Sequence, residues 1–137
     1  MTEVSQIIAE HKGREGSLLP ILHAVQAAFG CISDEAVRTI AQELNLSRAE
    51  VHGVVSFYHD FTTAPTLRKI VKLCRAEACQ ARGVEALVQD LPEVPGVALE
   101  TVYCLGLCSV GPNAMIGKTL HARLDAKRLS ALMADMA

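Results

Sequence analysis

Four of the chain's five cysteines fall in two short loops. Cys74 and Cys79 have four residues between them, and Cys104 and Cys108 have three. Thiolate sulfur binds soft and borderline metals, and four thiolates suit either zinc or an iron–sulfur cluster. Structural zinc sites use spacings of about two to four between paired ligands, so zinc fits the pattern. The plant-type iron–sulfur pattern gathers three cysteines in one loop and adds a distant fourth. Two plus two suits a binuclear cluster instead, with one loop on each iron. Glycine supports that reading: Gly106 lies between the second pair and Gly111 lies three beyond it. Glycine permits close backbone approach, so that amides can donate to sulfur. On spacing alone an iron–sulfur site ranks ahead of a structural zinc module, and disulfide pairing ranks third. A thiol–disulfide enzyme needs a C-x-x-C-type pair, and neither pair has that spacing.

Composition narrows the setting. At 137 residues, half of them hydrophobic, the chain can bury a core for one domain, or for a small domain with an appendage. The net charge of -2, the 4% aromatic content and the lack of a basic tract argue against nucleic acid. Met1-Thr-Glu-Val-Ser-Gln has neither the basic start nor the apolar run of a signal peptide. No apolar run approaches the roughly 18 residues a membrane helix needs. The expectation is a soluble cytoplasmic protein with no membrane insertion. Clustered cysteines in such a reducing compartment point to metal or redox chemistry.

The elements that must position the cysteines can be read in order. Val4, Ile7, Ile8 and His11 make a short amphipathic helix over 2–12. Ser17 is expected to cap the next helix, with Pro20 in its first turn and Gly30 at its end. A third helix runs from Asp34 to about Asn45. Ser47 and Glu50 form a capping box for a fourth, whose stripe is Val51, Val54, Val55, Tyr58 and Phe61. These four helices predict a helical subdomain over 1–64. Thr62-Thr-Ala-Pro65-Thr breaks the pattern, and an α/β domain is expected over 66–137. Its order is a strand at 67–74, a helix carrying Val84, Leu87, Val88 and Leu91, a strand at 97–103, a hairpin around Gly117-Lys118, and a last helix capped by Asp125. The fold class is α/β, a helical bundle followed by a small sheet with helices packed on it. The cysteine pairs follow the first and second strands. If those strands are parallel neighbours, both loops leave the same sheet edge.

The combination Cys74-x4-Cys79 with Cys104-Leu-Gly-Leu-Cys108-Ser-Val-Gly-Pro112 resembles the thioredoxin-like [2Fe-2S] ferredoxin family, which includes the small [2Fe-2S] subunits of NADH:quinone oxidoreductase, NAD-linked hydrogenases and formate dehydrogenases. Val51-His-Gly-Val-Val-Ser-Phe-Tyr-His-Asp-Phe61 matches a family helix ending in Phe-Tyr. Within the family the sequence is similar to the gamma subunit of NAD-dependent, molybdenum-type formate dehydrogenase, on Cys74-Arg-Ala-Glu-Ala-Cys-Gln-Ala-Arg-Gly83, Val102-Tyr-Cys-Leu-Gly-Leu-Cys108 and Leu120-His-Ala-Arg-Leu-Asp125. The resemblance implies a thioredoxin-like C-terminal domain in which Cys74, Cys79, Cys104 and Cys108 hold one [2Fe-2S] cluster. It implies an FMN- and NAD-binding partner subunit and, through it, a molybdenum-containing catalytic subunit. The chain itself is expected to carry electrons and to have no substrate-converting site. Two features depart from the family pattern. Gly111 stands where alanine is common. The interval from Cys79 to Cys104 is short and lacks an Asp-Gly turn, so one strand there is expected to be trimmed or absent.

Other residues receive plainer readings. Cys31 is read as a small buried residue and not a fifth ligand. His52 and His59, seven apart, are placed on one helix face in solvent or a core hydrogen bond. Phe57, Tyr58 and Phe61 are assigned to the bundle core. Arg75 and Arg82 flank the first pair, and two readings stand equally: solvated surface charge, or offset of the negative charge of a tetrathiolate cluster and partner docking.

Overall fold

Three of the four N-terminal helices begin on a hydroxyl side chain. In the computed structural model, which describes residues 2–137, α1 spans Glu3–His11, α2 Leu18–Phe29, α3 Asp34–Leu44 and α4 Arg48–Phe57. Thr2 and Ser33 accept the backbone N–H groups of Ser5 and Ala36. Ser47 accepts the Glu50 N–H at 3.1 Å, while the Glu50 carboxylate accepts the Ser47 N–H at 2.8 Å. These reciprocal bonds satisfy two amides that the first helical turn leaves without partners. They also hold the Glu50 carboxyl below its usual pKa. Ser17 stands at the start of α2 but makes no capping bond, because its own backbone is already helical.

The four helices close on an apolar core that includes Ile8, Ile21, Leu22, Val25, Ile40, Val51 and Val55. α1 packs on α2 and α3, and α4 packs on α3. Gln26 ties down the end of the unit: its side chain donates to the Gly30 carbonyl and the Thr62 hydroxyl and accepts the Thr62 N–H, with all three contacts within 3.1 Å. The stripe of α4 is shorter than its spacing implies. The helix stops at Phe57, and Tyr58 turns extended. Phe61 still reaches the core from outside the helix. Phe57 is 72% exposed and Tyr58 is also exposed, so these two are surface and not bundle core. His59 lies beyond the helix and shares no helical face with His52.

Residues 67–137 form a second unit with its own core. Strand β1 (Lys69–Cys74) is followed by α5 (Glu77–Ala81) and α6 (Val84–Gln89), then by β2 (Val97–Val102). The expected helix is α6, which ends at Gln89 short of Leu91, and the short α5 before it is an addition. β3 (Ala114–Ile116) and β4 (Thr119–His121) form the hairpin, and α7 (Ala126–Met136) ends the chain. Asp125 caps α7 by accepting the Arg128 N–H at 2.7 Å. The sheet order is β2-β1-β3-β4. β1 pairs parallel with β2, from Lys69 opposite Val97 to Cys74 opposite Val102, and antiparallel with β3. Val71 and Leu73 share a core with Val84, Leu87, Leu129 and Met133. The strand between Cys79 and Cys104 is therefore present at six residues. A Val94-Pro95-Gly96 turn leads into it, where the Val97 N–H bonds the Val94 carbonyl at 3.1 Å. Among the described residues no helix is long and apolar enough to cross a membrane.

Replacing Ser47 with alanine removes the box and should cost about 1 kcal/mol, read by chemical denaturation followed at helical circular dichroism. The Ser47 N–H and the Ser47 hydroxyl both donate to the Glu50 carboxylate, so its folded pKa lies below the unfolded one. That contribution is present above the usual carboxylate pKa and is lost as pH falls. The difference between Ser47→Ala and the parent should therefore narrow in acid.

Candidate metal centre

The parallel pairing of β1 with β2 brings the cysteine loops together. Both strands run the same way and end level, at Cys74 and Val102. The Arg75 N–H extends the pairing by bonding the Val102 carbonyl at 2.9 Å. From there α5 turns Cys79 back toward Cys74. The start of that turn is fixed by the Gln80 side chain, which donates to the Arg75 carbonyl at 2.7 Å. On the other strand Cys104 follows two residues after β2 and takes a left-handed backbone, φ 78°. A non-glycine residue there is strained by about 1–2 kcal/mol. The conformation aims the Cys104 N–H at the Cys74 sulfur, at 3.3 Å. Gly106, with φ 80°, donates its N–H to the Cys104 sulfur at 3.4 Å. Cys108 then opens a single 3-10 turn, Cys108–Val110, and its sulfur lies 3.6 Å from that of Cys104.

The two pairs sit in unlike surroundings. Cys74 and Cys79 are 2% and 1% exposed, whereas Cys104 and Cys108 are at the surface. Burial pushes the Cys74 thiol up, but hydrogen bonds from the amides of Ala76, Cys104 and Leu105 and from the Cys79 thiol outweigh it, so its pKa falls below the usual value. Burial and the bond it donates to Cys74 raise that of Cys79. Cys108 is raised by its hydrogen bond to Cys104 and by the Cys104 charge. Cys108 also feels the charge of Cys74, and Cys79 feels that of Cys108. All four sulfurs are within electrostatic reach of one another.

One residue that the spacing did not single out stitches the loops together. Asn113 is 1% exposed. Its carbonyl accepts the Cys74 N–H at 3.0 Å, its own N–H favours the Cys79 thiolate, and its side chain donates to the Leu107 carbonyl at 3.0 Å. It thus touches both cysteine loops from the residue just before β3. Its Oδ1 is buried without a hydrogen-bond partner. The only sequence signal is its place directly after Gly111-Pro112. Space at Gly111 is tight: a Cβ there would lie 3.0 Å from the Cys79 sulfur, so the two would have to part by a few tenths of an ångström.

Among the described residues no three His, Cys, Asp or Glu side chains close on a single ion. The donors form two dithiol pairs instead. Two sulfurs on one tetrahedral metal at a bond length of about 2.3 Å stand about 3.8 Å apart. The 3.6 Å between Cys104 and Cys108 fits that span and is far from the roughly 2.0 Å of a disulfide. Comparison with known proteins then decides the family. Residues 4–137 match the model of the thioredoxin-like [2Fe-2S] ferredoxins. The chain belongs to that family.

The family's cofactor is a [2Fe-2S] cluster, and its fold is the thioredoxin-like α/β arrangement described above. Similar members include subunit HndA of an NADP-reducing hydrogenase from Solidesulfovibrio fructosivorans, 27% identical over 97% of this chain and 84% of that protein. A subunit of the NADH-quinone oxidoreductase of Rhizobium meliloti is 31% identical over 96% and 84%. Among solved structures, an air-oxidized NAD+-reducing [NiFe]-hydrogenase matches with a TM-score of 0.68 and 25% identity. That match covers 84% of this chain but only 22% of the other, so the ferredoxin unit is about a fifth of the longer chain.

Two residues change their reading. Arg75 makes a two-pronged ion pair with Glu85, Nε to Oε1 at 2.9 Å and Nη2 to Oε2, so its charge is already answered. Cys31 belongs to the helical unit and is half-buried and not fully buried. Asn113→Ala should destabilise residues 67–137 by about 1–3 kcal/mol, because the Leu107 carbonyl loses its donor. The cluster should also bleach faster in air, checked by denaturation and by the decay of visible absorption.

Proposed function

We propose that Cys74, Cys79, Cys104 and Cys108 hold the [2Fe-2S] cluster within a thioredoxin-like domain at 66–137, preceded by a helical subdomain at 1–64. The observation that carries this reading is the meeting of two dithiol loops at one end of the parallel β1–β2 pair. The bound cluster supplies reversible one-electron transfer. The residues divide the remaining work. Cys74 and Cys79 bind from beneath, shielded from water by the core. The amides of Cys104 and Gly106 donate to sulfur and so favour added negative charge. Cys104 and Cys108 bind from the surface, where a partner can approach.

The chain is, on this reading, the cytoplasmic electron-transfer subunit of a multi-subunit NAD-linked oxidoreductase, exchanging electrons with an FMN- and NAD-binding subunit. The names of its relatives support that level: a hydrogenase subunit and a quinone oxidoreductase subunit. The more specific reading is NAD-dependent formate dehydrogenase with a molybdenum-containing catalytic subunit. It rests on the three stretches at 74–83, 102–108 and 120–125. The corresponding subunit of an NADH:quinone oxidoreductase or hydrogenase is the second reading, favoured by the relatives' names.

Protein prepared anaerobically should be brown, with about two irons and two acid-labile sulfides per chain. A single zinc in a colourless preparation would sink the assignment. Cys104→Ser or Cys108→Ser should bleach or shift the spectrum, whereas Cys31→Ser should leave it unchanged. The native complex, purified through this chain, should contain flavin and molybdenum and reduce NAD with formate. Nickel with hydrogen-dependent activity, or quinone reduction by NADH, would select the second reading.

A further inference from the structure

The two arginines beside the first cysteine pair are in different electrostatic states. Arg75 is bound by Glu85. Arg82 is exposed, and its side chain has no hydrogen bond or ion pair among the described residues. Its stem lies against the cysteine loop. A Cβ on Gly111 would sit 3.4 Å from the Arg82 Cδ and 3.0 Å from the Cys79 sulfur. Arg82 and Cys79 therefore face the same small gap, and glycine at 111 leaves it open. Cys79 is 1% exposed, so water does little to screen its sulfur from that side.

We propose that Arg82 is a positioning residue for charge: its uncompensated guanidinium, carried on a stem that faces Cys79 across Gly111, raises the reduction potential of the centre. The inference rests on the ligand assignment above. Four thiolates with two ferric ions and two sulfides carry a net charge of -2, and taking up one electron makes it -3. A fixed cation nearby favours the more negative state. Arg75 cannot do the same, since Glu85 cancels its field at a distance.

The test is an anaerobic titration of the whole chain against a one-electron dye at low salt, read by visible spectrum. Arg82→Gln should move the equilibrium toward oxidised protein several-fold, up to about tenfold, which is 59 mV. The gap between Arg82→Gln and the parent should shrink in high salt. Arg82→Lys should keep most of the parent's potential. Gly111→Ala, whose methyl enters between Arg82 and Cys79, should shift it in the direction of Arg82→Gln. The double variant Arg75→Gln with Glu85→Gln removes a balanced pair and should leave it in place. An unmoved potential in Arg82→Gln with an intact spectrum overturns the role of Arg82 alone, as does an equal shift in the double variant. A colourless parent protein overturns the ligand assignment with it.

Discussion

Everything at the cysteine site depends on one pairing, the parallel ladder between β1 and β2. Each strand contributes a loop at its C-terminal end, and only a parallel register puts both ends on the same side. An antiparallel pair of the same strands would send Cys74 and Cys104 to opposite edges. The register matters as much as the direction, because Cys74 stands opposite Val102 and Cys104 lies two residues further on. A slip by one residue would reverse the inward set of β2 and carry the Cys104 amide away from the Cys74 sulfur. The crossover that permits parallel pairing is α5 and α6, and Val84 and Leu87 hold it to the sheet through the shared core. The scaffold's packing energy therefore acts on the chemistry through geometry alone.

Within that frame the two pairs divide between core and surface. Cys74 and Cys79 are core residues as fully as Val71 or Leu73. A buried thiolate is costly unless it receives hydrogen bonds, and Cys74 receives them from three backbone amides. Cys104 and Cys108 instead lie on a loop whose shape is held by backbone bonds and by Asn113. Four sulfurs in mutual electrostatic reach repel one another once ionised. Metal binding offsets that repulsion, so the group that performs the chemistry also completes the structure.

Much of this was legible in the sequence, for identifiable reasons. Capping boxes are local, so Ser47 and Glu50 announced α4 without help from the rest of the chain. The β-favouring run Ile70, Val71 and Leu73 placed β1, and Gly117-Lys118 between short apolar stretches placed the hairpin. The cysteine spacing is also local, and it led to the family. What stayed hidden depends on tertiary context. Helical spacing carried the α4 stripe through Tyr58 and Phe61, but spacing does not record where a helix stops, and the extended backbone at Tyr58 leaves Phe57 in solvent. The short α5 went unread because its five residues, Glu77–Ala81, carry no apolar stripe of their own. Asn113 was invisible since a lone asparagine after Pro112 reads as loop. Its importance comes from a strand, β3, that adjoins β1 only in the folded sheet.

The sequence could not separate Arg75 from Arg82. Both flank the same pair and carry the same charge, and only distance to Glu85 distinguishes them. Arg75 and Glu85 stand ten positions apart in sequence, too far for any helical rule, yet the turn from α5 into α6 brings them into a two-pronged contact. Such a pair looks from afar like a small dipole, whereas Arg82 keeps a full charge. An electron-transfer centre has few means of being tuned: ligand identity, hydrogen bonds to sulfur, burial and nearby charge. The first is common to any four-cysteine site, and the second and third follow from the sheet edge. Nearby charge is the term that surface residues can vary without disturbing the fold, and beside the first cysteine pair Arg82 offers such a charge on a stem that lies against Gly111.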